Sequence, residues 1–242
     1  MRSSSPVSAP VRHARTAGVL YLLIIVCGIG GAGLVRGPLV VEGDAAQTVA
    51  NLLAAELAFR LSLLADVVMA LSDVALAALL YFLLRPISQT LSLLAMVFRL
   101  VQAAILGLNL LTLHTAGALL HDGSLPAGQR DAWVMRLLDA HAAGYDLGLF
   151  FFGVDCLLVG VLVIRAGFLP RTVGGMMLAA GLVYLVGSAV HVVAPVWLGA
   201  LAPAYLVPVL AEGAFCLWLL VKGLDVDKWV HASRQTAPPL LP

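Results

Sequence analysis

Long apolar stretches alternate with short polar segments along most of the chain. An α-helix needs about 20 mostly apolar residues to cross a hydrocarbon core about 30 Å thick, and each stretch is close to that length. A helix also satisfies its own backbone hydrogen bonds, which lipid cannot do. The pattern therefore predicts an all-α fold, an integral membrane bundle of six transmembrane helices, over residues 18–35, 60–84, 91–113, 145–164, 173–193 and 204–221.

Two of the polar segments have helical patterns of their own. In residues 36–59, Asp44 is followed three residues later by Gln47, which fits a capping box at the start of a helix. Residues 121–144 contain turn residues and then a short helix with Trp133, a residue that suits the membrane interface. We therefore expect short interfacial helices on the outer side of the membrane.

The two ends of the chain are polar. Residues 1–17 are rich in Ser and Pro and predict a disordered cytoplasmic tail, residues 18–222 the six-helix transmembrane domain, and residues 223–242 a polar cytoplasmic tail. Lys and Arg concentrate in the connections of one side, and the positive-inside rule makes that side, with both termini, cytoplasmic. The basic residues of that side are Arg2, Arg12, Arg15, Arg85, Arg165, Arg171, Lys222, Lys228 and Arg234, against Arg36, Arg60, Arg130 and Arg136 outside.

The composition supports the membrane class. Hydrophobic residues make up 62% of the 242 and charged residues 11%, against about 25% charged in an ordinary soluble domain. The net charge of +1 excludes nucleic acid as a partner and leaves the lipid bilayer, with a small solute or a proton as the ligand. The three cysteines lie inside apolar stretches without a CxxC pair, so we expect no disulfide.

Charged and polar residues inside the apolar stretches define a candidate intramembrane site. A charged side chain at mid-bilayer costs roughly 2.5 to 3.5 kcal/mol on insertion scales, so it usually faces a partner helix or a water-filled cavity. At a rise of about 1.5 Å per residue, Asp73 and Arg99 come out at the same depth, and we expect a salt bridge between them. The candidate residues are Asp66, Asp73, Arg99, Gln102, Asn109, Asp155 and Glu212.

Two interpretations of this site remain open. An ion pair between Asp73 and Arg99 could serve only to hold two helices in register. Asp155 and Glu212 come out near the same depth, however, so that three acids face one base. A carboxyl group without a basic partner in a low dielectric tends to keep its proton, as a proton carrier must. Glu212 is our first candidate for that role and Asp155 the second.

Histidines form a second group, at the outer ends of the predicted spans. His114, His141 and His191 face the same compartment, so a zinc site with a water activated for hydrolysis is one interpretation. The other is that polar side chains collect at the membrane interface, since no HExxH spacing occurs. Tyr145 and Asp146 would then form part of an outward-facing polar vestibule. No cofactor other than zinc is expected.

Three classes of function follow from these patterns. The first is a transporter-like or channel-like protein that moves a small solute or a proton. The second is a membrane-embedded metal-dependent hydrolase, and the third is a structural or regulatory membrane subunit. We favour the first because charge at the membrane midplane is the most costly feature of the sequence.

Several segments resemble those of a known family. They include ARTAGVLYLLIIV, FRLVQAAILGLN, AGYDLGLFFFG, GFLPRTVGGMMLAAGLVYL and EGAFCLWLLVKG. They are similar to bacterial multi-pass membrane proteins that carry the domain of unknown function 4386, and the resemblance covers nearly all of the chain. It implies one integral domain in the bacterial plasma (inner) membrane and no established activity, catalytic residue or ligand. The family more often has a non-acidic residue at the position of Asp155, so a role for Asp155 would be particular to this protein.

Overall fold

The computed structural model describes residues 8–235 of the chain. Within that range it contains nine α-helices and no strand, and a π-helical segment, Gly28–Arg36, continues the first helix. The helices are α1 (Ser8–Cys27), α2 (Ala45–Ala54), α3 (Glu56–Leu84), α4 (Gln89–Leu119), α5 (Ala127–Ala166), α6 (Arg171–Val193), α7 (Leu198–Leu201), α8 (Leu206–Val221) and α9 (Val226–Gln235).

Six helical stretches within the described range are long and apolar enough to cross a membrane. Four of them are α3, α4, α5 and α6, the first is Ala9–Leu39, and the last is Pro195–Val221. The predicted all-α fold with six spans is therefore confirmed. The cytoplasmic side of the termini stays a prediction.

The first helix begins earlier than the sequence pattern suggested. Residues 1–17 were expected to form a disordered tail, but α1 begins at Ser8, and residues 1–7 lie outside the described range. Ala14 and Ala17 are fully buried, while Arg12 and Arg15 are exposed. Small residues at helical spacing thus form a packing face on this helix, although the overall composition of the segment is polar.

The segment expected to be a polar tail, residues 223–242, contains the helix α9. The first residues of α9 are capped by Asp225, whose carboxylate accepts a hydrogen bond from the backbone N–H of Lys228 at 3.2 Å. This backbone N–H and the nearby ammonium group of Lys228 hold the pKa of Asp225 below its ordinary value. Trp229 donates a hydrogen bond from Nε1 to the carbonyl oxygen of Leu83 at 2.9 Å, so α9 is attached to the end of α3.

The predicted short outer helix and the predicted fourth span are one continuous helix, α5. Gly144, the last residue before the predicted fourth span, is helical. A Cβ atom at Gly144 would clash with the side-chain amide of Asn109. This glycine therefore makes room for a neighbouring side chain and does not end a helix.

Local sequence signals account for two of the helix boundaries. Asp44 caps α2 by accepting a hydrogen bond from the backbone N–H of Gln47 at 2.9 Å, although the side chain of Gln47 donates to Asn51 and leaves the capping box half formed. Gly167 follows α5 with a φ of 67°, a left-handed conformation that ends helices, and Pro170 immediately precedes α6.

The chain divides into two compact units. Unit 1 comprises the described residues of Met1–Leu22, Asp73–Gln102 and Leu149–Pro242, and unit 2 comprises Leu23–Ser72 and Ala103–Gly148. In unit 1, α6 packs along α8. The core of unit 2 consists of Val49, Leu52, Phe59, Leu113, Ala116, Leu120 and Val134.

In unit 1, α5 and α6 approach each other at two pairs of glycines. A Cβ atom on Gly160 would lie 2.8 Å from the carbonyl oxygen of Gly174, and one on Gly181 would lie 2.7 Å from the carbonyl oxygen of Gly153. These are contacts with backbone, which cannot move aside as a flexible side chain does. Small residues that let backbones approach are a usual means of helix association in membranes.

We expect Gly160→Ala to destabilise the protein by about 1 to 3 kcal/mol, because overpacking would push α5 and α6 apart. The measurement is the midpoint of thermal unfolding of detergent-purified protein. Gly175→Ala is the matched control, because outside its own helical turn no atom of the described residues lies within 4 Å of a Cβ atom placed there. Equal unfolding midpoints for the two variants would contradict the proposed packing.

Candidate functional site

Arg99 is the centre of a buried ion network in unit 1. It lies on α4 with only 1% of its surface exposed. Its Nη1 donates to Oδ1 of Asp73 on α3 at 2.7 Å, and its Nε donates to Oδ2 of Asp155 on α5 at 2.9 Å. The expected contact between Asp73 and Arg99 is therefore present, and Asp155 joins it. One guanidinium group thus holds two carboxylates on two different helices.

Aromatic and amide groups surround this network. The guanidinium carbon of Arg99 lies 4.9 Å from the ring centroid of Phe152 and 5.5 Å from that of Tyr21, within the range of cation–π attraction. The amide of Gln102 faces the carboxylate of Asp73, and its buried Oε1 atom has no hydrogen-bond partner within residues 8–235. The ions are thus enclosed by protein groups.

Glu212 supplies a third carboxyl group from α8. Its Oε1 accepts a hydrogen bond from the hydroxyl of Tyr184, on α6, at 2.5 Å. The buried hydroxyl of Tyr21 faces the same carboxyl, and in the described part of the chain it makes no hydrogen bond of ordinary geometry. Among the described residues, no basic group lies within ion-pair distance of Glu212. Its principal partner is therefore a phenol and not a cation.

We call Asp73, Arg99, Asp155 and Glu212 the charge cluster. Glu212 is close enough to Arg99 and Asp73 to interact with them electrostatically. With all three carboxyls ionised, the formal charge of the cluster would be −2, which is costly in a medium of low dielectric constant. A proton bound to one carboxyl reduces that cost, so the arrangement can take up and release a proton.

Asp66 belongs to unit 2 and has its contacts there. Its Oδ2 lies 2.6 Å from Nη1 of Arg36, the last residue of the π-helical segment, and the same nitrogen donates to the hydroxyl of Ser62 at 3.1 Å. Both charged side chains are about nine-tenths buried. Asp66 therefore has its own basic partner, in a second ion pair.

Asn109, His141 and Tyr145 also belong to unit 2. The Asn109 amide donates to the carbonyl oxygen of His141 at 2.7 Å, and Nδ1 of His141 lies 3.3 Å from the carbonyl oxygen of Asn109. A cavity of about 10 Å³ is bordered by Arg36, Asp66, His141 and Tyr145. Tyr145 thus lies beside the second ion pair, while Asp146 is half-buried on α5.

The histidines predicted to bind zinc do not come together with acidic side chains in a ligand set. His114 is exposed on α4, and His141 is occupied as described above. His191 lies on α6 in unit 1. Over residues 8–235, no group of three or more His, Cys, Asp or Glu side chains is arranged to hold a metal ion. The zinc site stays a prediction that this geometry does not strengthen.

Sequence reasoning missed three residues of these sites. Arg36 was assigned to an outer connection, but the helix of the first span continues to it and buries it. Tyr21 and Tyr184 were overlooked among apolar neighbours. A hydroxyl group inside a predicted span was the available signal, because such a group needs a polar partner there.

Six helical spans and a buried charge cluster define a polytopic membrane protein of the class that keeps ionisable groups inside the bilayer. The chain belongs to the family described as domain of unknown function (DUF4386), whose model matches residues 16–223. This confirms the family suggested by the sequence motifs.

The chain is similar to a protein from an archaeon. An uncharacterised protein of the archaeon Archaeoglobus fulgidus is 29% identical over 158 residues, which cover 65% of this chain and 81% of the relative. No solved structure matches the chain. The family and the six helical spans of the described range together make this a multi-pass membrane protein.

Proposed function

We propose that this protein is transporter-like or channel-like and moves a proton, alone or with a small solute, with Glu212 as the group that binds and releases the proton. The charge cluster is its polar centre. The observation that carries the proposal is the third carboxyl group of the cluster, which is buried beside a tyrosine and beyond ion-pair distance of Arg99.

The number of acidic groups in the charge cluster favours a role in proton movement over a purely structural role. One ion pair is enough to hold two helices in register. Here Arg99 already bonds Asp73 and Asp155, and Glu212 adds a further ionisable group without a basic partner among the described residues. Ionisable residues in spans are expensive and usually mark ion or proton pathways. A purely structural role does not account for Glu212.

The partner of Glu212 suits a group that changes its protonation state. A phenol hydroxyl can donate to an ionised carboxylate and can accept from a protonated carboxyl group. Tyr184 can therefore remain hydrogen-bonded to Glu212 in both states by reversing the direction of the bond. A basic partner would instead favour the ionised form of Glu212 alone.

The test is proton flux into proteoliposomes, followed with an enclosed pH-sensitive dye under an imposed membrane potential. We expect wild-type protein to carry flux and Glu212→Gln to lower it to the level of empty liposomes, because the amide keeps the shape of the side chain but cannot carry the proton. Glu212→Gln should still elute as one monodisperse peak in detergent.

The matched control is Asp225→Asn, which makes the same chemical change at the exposed cap of α9, where asparagine also caps well. It should keep the wild-type flux. Absence of flux in wild-type protein, or equal flux in the wild type and Glu212→Gln, would overturn the proposal.

A further inference from the structure

A small cavity in unit 1 adjoins the ion network. Its volume is about 10 Å³, and its lining includes Arg99 and Asp155 at one end and Ser92 and Leu84 at the other. On α4 the lining residues Ser92, Ala95, Met96 and Arg99 follow a helical spacing of three or four, so they form one stripe. The cavity therefore follows α4 from the ion network towards the α3–α4 turn.

Ser92 provides a second and independent observation. It lies near the start of α4 and is 1% exposed. The residue borders the cavity, and its hydroxyl oxygen has no hydrogen-bond partner among the described residues. An unpaired buried hydroxyl destabilises the folded state, so a polar side chain in this place requires a partner.

We infer that this cavity is a binding site for one water molecule, held between Ser92 and the ion pair of Arg99 with Asp155. The volume matches the lower limit of about 10 to 15 Å³ that a single buried water requires. Such a water also needs two to four polar partners, and Ser92, Asp155, Arg99 and Tyr81 border the cavity.

The site has a direct role if the proposed proton movement is correct, and this part of the inference rests on it. Ser92 and Arg99 are seven residues apart on α4, which is about 10.5 Å along a helix. A water between them shortens the gap from the α3–α4 turn to the charge cluster. It can accept a proton on the turn side and pass one of its own to the Asp155 carboxylate, remaining neutral. The water site would thus form the proton path on that side.

Radiolytic hydroxyl labelling tests the water itself, because radicals formed from a bound water oxidise nearby methionine sulfur to the sulfoxide. Met96 borders the cavity and is half-buried, whereas Met177 is fully buried on α6 and lies outside the cavity lining, so Met177 is the internal reference. In wild-type protein in lipid nanodiscs, we expect Met96 to be oxidised faster than Met177.

Two variants remove the water in different ways. Ser92→Ala deletes a polar partner, and Ala95→Val fills volume at the cavity wall. Both should lower the labelling of Met96 below its wild-type rate. Ser188→Ala is the matched control, because Ser188 is also buried with an unpaired hydroxyl but lies outside the cavity lining. It should leave the labelling of Met96 unchanged.

Equal oxidation of Met96 and Met177 in wild-type protein, or unchanged Met96 labelling in Ala95→Val, would overturn the water site. These results do not depend on transport. If Met96 labelling behaves as expected while Glu212→Gln keeps full proton flux, the water site stands and the proposed function fails. If Ala95→Val loses labelling but keeps wild-type flux, the assigned proton path is wrong and the water site remains.

Discussion

Arg99→Gln is expected to yield little folded protein. The substitution leaves the carboxyl groups of Asp73 and Asp155 buried without their common partner. Removal of one member of a buried ion pair typically costs about 3 to 5 kcal/mol, because the remaining charge stays desolvated. Here two carboxyl groups lose their partner at once, so the loss should lie at the upper end of that range. The measurement is the yield of monodisperse protein by fluorescence-detected size exclusion.

The contacts of Arg99 determine which further substitutions should restore folding of the Arg99→Gln variant. Changing Asp73 to Asn together with Arg99→Gln still leaves Asp155 unpaired, so this exchange should not restore folding. Adding Asp155→Asn removes the last of the three charges, and the triple variant should recover most of the wild-type yield. A normal yield for Arg99→Gln alone would contradict the ion network.

The triple variant also separates structure from function. It retains Glu212 and the six spans but lacks the ions of Asp73, Arg99 and Asp155. If the cluster is the polar centre of a proton path, the triple variant should fold and lose flux. Folded protein with wild-type flux would instead mean that the Arg99 network only holds helices together.

Arg36→Gln is expected to cause the second large loss, about 3 to 5 kcal/mol, because it leaves Asp66 buried and unpaired in unit 2. The fraction of protein that stays monodisperse after heating measures the effect. Arg36→Met combined with Asp66→Leu should restore stability, since replacing a buried ion pair by apolar groups is often neutral or stabilising.

The exposed ion pair of Arg60 and Glu56 provides the control on the same unit. Nη2 of Arg60 lies 2.7 Å from Oε1 of Glu56, but 64% of the Arg60 side chain is exposed. Exposed pairs contribute about 0 to 1 kcal/mol, so Arg60→Gln should be close to wild type. Similar losses for Arg36→Gln and Arg60→Gln would show that burial does not set the strength of these pairs.

The six spans and one ion pair could be predicted because both depend on length along a helix. Apolar length identifies a span, and the rise per residue places Asp73 and Arg99 at one depth. The rotation of each helix has no such simple rule, so the sequence did not separate Asp66 from Asp73, which lie on the same helix in different units.

Arg36 and Tyr184 were not predicted as site residues because their partners lie on distant segments of the chain. Arg36 was assigned to a connection because a charge usually marks the end of a span, but the π-helical segment carries the helix to that residue. Tyr184 contributes one hydroxyl group to an otherwise apolar stretch, and its importance depends on α8 bringing Glu212 to it. Such contacts between distant segments become visible only in three dimensions.

The order of the helices along the chain bears on how the protein is made. Asp73 and Arg99 are 26 residues apart, on helices joined by residues 85–88, whereas Arg99 and Asp155 are 56 residues apart. A lone charge entering the bilayer during synthesis costs roughly 2.5 to 3.5 kcal/mol. The α3–α4 hairpin can leave the translocon with that charge already compensated, and Asp155 completes the network when α5 is inserted. The order of synthesis, Asp73 before Arg99 and Arg99 before Asp155, thus keeps the net charge of these three residues close to zero at each stage of insertion.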